Sequence, residues 1–227
     1  VHEDRLGGIW AGMDGGGVAR WEGGRFRALT PSEGVKNPTV WGFLEDRTGA
    51  LWMIGSGGVT RFQNDRFSTV TRAQGLFDDV NNQMFEDDAG HFWIGCNRGI
   101  YRVRTNELHA AADGKGKVNC VAFGVAEGLA VAETNGENQP AGWRGPDGVL
   151  WFPSPVGVVR VDPASAPSNE MPPPVMIEEA RTESLVLVDD SGRNPVLNRG
   201  GDALRIPPGN ARVLEFHYTA GSFAAPE

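Results

Sequence analysis

The sequence predicts an all-β protein on three observations. Glycine and proline occur at turn-making density, tryptophan-led apolar segments recur at a period near 41 residues, and helical periodicity is not sustained anywhere. Glycine supplies 32 of the 227 residues and proline 15, so about one residue in seven is a glycine, roughly double average usage. Seven tryptophans accompany them and 40% of the residues are hydrophobic, enough for a packed core and too much for a disordered chain. The net charge of −8 argues against a nucleic-acid partner, whose phosphates select a basic face. No run approaches the roughly 18 uninterrupted apolar residues of a membrane helix.

The repeat defines each element in turn. Ile9-Trp10-Ala11-Gly12, Leu51-Trp52-Met53-Ile54, Phe92-Trp93-Ile94-Gly95 and Leu150-Trp151-Phe152-Pro153 place their tryptophans 42, 41 and 58 residues apart. A glycine follows each tryptophan at six or seven residues (Gly17, Gly58, Gly99, Gly157), and an arginine stands three beyond it (Arg20, Arg61, Arg102, Arg160). Glu3-Asp4, Glu45-Asp46 and Glu86-Asp87 precede the first three tryptophans by seven residues, and Gly7, Gly49, Gly90 and Gly148 stand three before each tryptophan. Such a unit reads as a propeller blade of four antiparallel strands. In the second unit the strands are expected at Val40–Glu45, Ala50–Ile54, Val59–Gln63 and Arg66–Thr71, with hairpin turns at Asp46–Gly49 and Asn64-Asp65. About four blades are visible, and the first is expected to lack its first strand.

The fourth unit is longer, and spacing locates the surplus. Arg20→Gly34 and Arg61→Gly75 each span 14 residues, whereas Arg102→Gly128 spans 26; Gly34→Trp52 and Gly75→Trp93 span 18, whereas Gly128→Trp151 spans 23. The extra residues fall near Asn106–Lys117, read as a mobile loop, and in Ala130–Gly142, on the propeller face where ligands usually bind. The repeat ends at Pro163. Residues 164–174 read as a Pro/Ser-rich linker, and residues 175–227 as the first strands of an Ig-like β-sandwich, too short to complete one of about 100 residues. Residues 1–163 are then a propeller fragment of a larger protein, an excised piece or a mature form starting at Val1.

These residues resemble the two-component regulator propeller family, the sensor ectodomains of bacterial histidine kinases and hybrid two-component systems. The family pattern is similar to Glu86-Asp87-Asp88-Ala89-Gly90-His91-Phe92-Trp93-Ile94-Gly95 with Gly99-Ile100-Tyr101-Arg102. Its closing blade resembles the stretch from Asn135 to Trp143, then Leu150–Pro153 and Val158–Pro163. The tail, Pro207-Pro208-Gly209 and Leu214–Phe223, resembles the start of the three-tyrosine sandwich that follows such propellers. Ile54 in place of the second blade's glycine, and Arg144 in place of the glutamate of the Glu-Asp pair, depart from the pattern. The resemblance implies a non-catalytic, periplasmic or extracellular input module of an inner-membrane protein. It implies a small-molecule or oligosaccharide ligand, a homodimer in the intact receptor, and membrane contact only through other segments. No cofactor and no nucleic-acid partner is expected. Two other functions fit the residues: an interaction scaffold at the cell surface, and a propeller lyase or glycosidase.

Each candidate residue has a plainer role beside its functional one. Trp10, Trp52, Trp93 and Trp151 are expected in the packing between sheets rather than as sugar platforms. Arg20, Arg61, Arg102 and Arg160 are expected to pair with Asp4, Asp46 and Asp87 or to cover blade edges. Asp88-Ala89-Gly90-His91-Phe92-Trp93 matches a sialidase-type Asp box, itself a turn device. The recurrent acids sit at turns, where solvated carboxylates are ordinary, and the paired carboxylates of glycoside hydrolysis are not evident. His2, His91, His109 and His217 are scattered, so no metal site is expected. Whether Cys96 and Cys120 pair is left open by spacing. The candidate ligand residues are Glu133, Asn135, Asn138, Gln139, Trp143 and Arg144: amides pair with sugar hydroxyls and a ring covers the apolar sugar face. Trp143 also aligns with Leu44 and Phe85, a core position.

Overall fold

The computed structural model describes residues 1–29, 31–136, 140–166, 175–182, 186–188 and 212–220. The chain divides into two compact units, Val1–Ala166 and Pro167–Glu227. The first carries four blade-type sheets. Blade one holds β1 (His2–Glu3), β2 (Ile9–Met13), β3 (Gly17–Glu22) and β4 (Arg25–Leu29). Blade two holds β5 (Thr39–Glu45), β6 (Leu51–Ser56), β7 (Val59–Gln63) and β8 (Arg66–Val70). Blade three holds β9 (Asn81–Glu86), β10 (His91–Cys96), β11 (Gly99–Arg104) and β12 (Cys120–Phe123). Blade four holds β13 (Trp143–Arg144), β14 (Leu150–Ser154) and β15 (Gly157–Val161) among the described residues. Within each blade every strand pairs antiparallel with the next. One parallel contact, Gly17 opposite Thr39, joins the first two blades. The second unit contributes β16 (Val175–Thr182), β17 (Val186–Val188) and β18 (Leu214–Ala220), an antiparallel sheet with β16 in the middle.

Two expected elements differ in the structure. Blade one does have a first strand, the two-residue β1, held by His2 opposite Trp10. The Asn106–Lys117 insertion is not a loop throughout: α1 (Thr105–Ala112) occupies its first part. Leu108 and Ala111, spaced three apart, are buried in the core that blades two and three share. So short a helix leaves little periodic signal in the sequence, and isolated helices of this length are unstable in water, so packing holds it.

The repeated residues form one device per blade. Asp46 accepts through Oδ1 from the amides of Thr48 (2.8 Å) and Ala50 (3.0 Å), and through Oδ2 from the Trp52 indole N–H (2.6 Å). Asp4 does the same for Leu6, Gly8 and Trp10, and Asp87 for Ala89, His91 and Trp93. These acids are therefore not solvated turn residues: Asp46 is 1% exposed and Asp87 3%. Of the repeat arginines, Arg61 pairs with Asp113 and not with Asp46. Against its burial, the Asp4 carboxyl is lowered by hydrogen bonds from Trp10, Gly8 and Leu6 and by the Arg20 charge. The Arg20 and Arg102 guanidiniums lie over the Trp10 and Trp93 rings at 4.9 and 5.6 Å. The third-strand glycine is required by backbone shape. Gly58 has φ +97°, and a Cβ there would stand 2.3 Å from the Val70 carbonyl oxygen.

The glutamates of the second and third Glu-Asp pairs tie blades together. Glu45 Oε2 accepts from the Arg5 amide at 2.8 Å, and Glu86 Oε2 from the Arg47 amide at 2.9 Å. Blade four reverses the charges: Arg144 stands at the glutamate's position and donates to Asp88 Oδ2 at 2.8 Å. Asp88 also holds Arg47. It is the neighbouring Asp87, not Asp88 of the Asp-box match, that caps the turn and binds the tryptophan.

The core lies between successive blades in three clusters. Trp10 packs with Val40, Phe43 and Met53; Trp52 with Met84, Phe92 and Ile94; Trp93 with Leu150 and Phe152. All three tryptophans are buried to 1% exposure or less, as the core assignment requires. Trp151 is half-buried, and its neighbour across the β13–β14 pair, Trp143, is 58% exposed. Trp143 does occupy the register position of Leu44 and Phe85, but no described sheet covers its face. Cys96 and Cys120 are both free thiols.

Candidate functional site

The segment leading into blade four is anchored across the ends of β9 and β10. Thr134, 1% exposed, donates its amide (3.1 Å) and its hydroxyl (3.0 Å) to the Cys96 carbonyl. Its own carbonyl accepts from the Asn82 side chain, which also reaches Asn97 Oδ1 at 3.3 Å. Gly136 lies against Asn82 so closely that a Cβ would meet the Asn82 Oδ1 at 2.7 Å. The Asn135 amide donates to the Pro153 carbonyl at 2.8 Å. Buried contacts thus fix the backbone, and the Glu133 and Asn135 side chains are left exposed.

The six sequence candidates separate. Glu133 and Asn135 stand at the Pro153 end of β14, beside Asn97. Arg144 pairs with Leu150 at the other end of that strand, roughly 10 Å away at 3.3–3.4 Å per residue. Its guanidinium is committed to Asp88. Trp143 is exposed on the open face of blade four. Asn138 and Gln139 lie outside the described residues. Asn82, Asn97 and Thr134 are the residues sequence reasoning missed. Their signal was weak, since isolated amides and hydroxyls near turns are ordinary turn formers.

A second polar site is built where α1 meets blade two. His109 Nε2 stands 2.9 Å from Asp46 Oδ2, and the Arg61 Nη1 stands 3.0 Å from His109 Nδ1. An arginine only donates, so Nδ1 accepts and Nε2–H donates to Asp46. Arg61 also binds the His109 carbonyl (3.3 Å) and the Asp113 carboxylate. The His109 ring packs edge-on against Trp52 at 5.1 Å, on the ring that in blades one and three an arginine covers. Burial alone would raise the Asp46 pKa. The hydrogen bonds from His109, Thr48, Trp52 and Ala50 outweigh it and hold the carboxyl well below its ordinary value. The Arg61 hydrogen bond likewise lowers Asp113. Beside this network lies a cleft of about 410 Å³ between the β7–β8 hairpin and the end of α1.

No protein-family model matches the chain, and no curated protein matches it. Solved structures do. The extracellular domain of a protein named as a hybrid two-component system of B. thetaiotaomicron is 21% identical, with a TM-score of 0.61 over 92% of this chain and 26% of that one. Two structures of a second B. thetaiotaomicron extracellular domain, one named as a hybrid two-component and one as a one-component system, are each 20% identical. They cover 78% of this chain and 26% of theirs, with TM-scores of 0.57 and 0.55. The chain spans about a quarter of the length of these structures. Its sheets follow one another in the same fold, and on that ground the chain is an all-β domain of the architecture found in these extracellular domains.

Proposed function

We propose that this chain is part of the extracytoplasmic, ligand-sensing region of a bacterial two-component sensor of the propeller family. The observation that carries the reading is the shared fold over 92% of the chain with an extracellular domain named as belonging to such a system. The four blades belong to a larger propeller, and the second unit begins an Ig-like sandwich of the three-tyrosine kind. The portion binds and relays without catalysing. In support, the recurrent acids are engaged elsewhere: Asp46 and Asp87 in capping turns and holding indoles, Glu45 and Glu86 in joining blades.

The ligand is a carbohydrate met by the segment around Glu133, Asn135, Asn138 and Gln139, with Trp143 on the adjacent open face. Buried anchoring of Thr134 to Asn82 and Cys96 supports this, because a recognition loop gains affinity when its backbone is held in advance. Ligand binding biases two arrangements of a dimeric receptor, and membrane segments elsewhere in the protein carry the bias inward. The test is signalling by the parent protein in membrane vesicles. Phosphoryl transfer should change on adding an activating oligosaccharide, and Asn135→Ala should weaken that response. A parent protein with no membrane span or signalling domain would overturn the reading, as would one whose output ignores a panel of oligosaccharides.

A further inference from the structure

We propose that the cleft between the β7–β8 hairpin and the end of α1 is a binding site for a small ligand bearing an anionic group on a hydroxyl-rich body, the chemistry of an acidic sugar. The site is independent of the sensor reading. It is also separate from the Glu133–Asn135 segment, which approaches blades three and four.

The charge in the cleft runs against the composition of the chain. The whole sequence carries −8, yet the cleft walls present Arg61, Arg66 and Lys115 against one acid, Asp113. Arg66 and Lys115 are exposed, and among the described residues neither stands in an ion pair. Arg61 is 7% exposed and its plane is set by His109 and Asp113, which fixes its charge beside the cleft. The exposed Arg66 and Lys115 supply the charged donors that reach a carboxylate or sulfate.

The body of the ligand is suggested by the rest of the wall. Gln63, Asn64 and Ser68 offer both donors and acceptors from the hairpin, which suits paired hydrogen bonds to hydroxyls. The hairpin closes through a tight two-residue turn, with Asn64 and Asp65 at φ +52° and +55°. A volume of about 410 Å³ lies in the range of small-molecule sites. The opposite wall comes from α1 and the turn after it, an insertion present in blade three and in neither blade before it. The cleft is therefore not a by-product of the repeat. Asp113 and the carbonyl end of α1 oppose an anion, which sets the sign of one test.

The experiment titrates the full chain with D-glucuronate, D-glucose and sulfate, at low and high ionic strength. Glucuronate should bind, more weakly as salt rises, and glucose should not. The Arg66→Gln/Lys115→Gln double variant should lose about tenfold or more in affinity, the loss of two charge-assisted contacts. Asp113→Asn should tighten binding several-fold, a gain that misfolding cannot produce. Three results would each overturn the proposal: glucuronate binding no better than glucose, affinity indifferent to both variants, or sulfate binding as tightly as glucuronate.

Discussion

Replacing Asp46 by alanine should destabilise the first unit by about 2–6 kcal/mol. The carboxylate receives hydrogen bonds from Thr48, Ala50, Trp52 and His109. Thr48 is exposed and His109 partly so, so water replaces the lost acceptor for both. Ala50 and Trp52 are 0% exposed, and each stranded buried donor costs about 1–3 kcal/mol. Asp88→Ala is the comparison: its side chain is 77% exposed, and surface ion pairs contribute only about 0–1 kcal/mol. Urea unfolding followed by tryptophan fluorescence measures both, with an unchanged slope confirming that stability alone has moved. A cost for Asp46→Ala within about 1 kcal/mol of that for Asp88→Ala would refute the reasoning. The pH dependence supplies a second reading. Because the folded Asp46 carboxyl titrates below its ordinary value of 3.8, its contribution is complete above that pH. It is lost as pH falls through the lower folded value. The gap between the native protein and the variant should therefore narrow only below about pH 4.

The remaining predictions use the same repeat. Gly58→Ala should cost about 3 kcal/mol or more, since the new Cβ meets the Val70 carbonyl, whereas Gly157→Ala, at φ +145° with open space around it, should cost about 1–2 kcal/mol. Equal urea midpoints for the two would contradict the steric account. Arg144→Glu sets a carboxylate against Asp88 and should cost about 0.5–1 kcal/mol; adding Asp88→Asn should recover most of it, and strict additivity would deny the inter-blade pair. Burial pushes the Cys96 and Cys120 thiols up to about 11, so a thiol reagent at neutral pH should label them slowly until urea opens the unit. Rapid labelling of the folded chain would contradict that.

Periodicity was legible because a blade is a local object. The expected second-blade strands match β5 to β8 within two residues at every end, since period-2 apolar patterning and turn glycines act within a few residues of each other. The partners of the motif residues were not legible. Asp46 and Trp52 are six apart in sequence, and the turn between them brings indole and carboxylate together, which spacing alone does not reveal. The helix α1 was hidden because its stability comes from docking Leu108 on another blade. The candidate segment was located by its length, but its division into an exposed Glu133–Asn135 end and a committed Arg144 depends on distances along β14.

The sequence by itself determined the all-β class, the period, the hairpin turns and the places where residues were added. These follow from backbone permissiveness at glycine and from hydrophobic spacing, both properties of short segments. Only the tertiary structure decided that each repeated aspartate holds a tryptophan, that Arg144 and Asp88 exchange the charges of the other blades, and that α1 brings His109 to Asp46 across 63 residues. The last two pairings join groups 56 and 63 residues apart, selected by the packing of one blade or helix on the next; the first closes within one hairpin, where the turn geometry sets it.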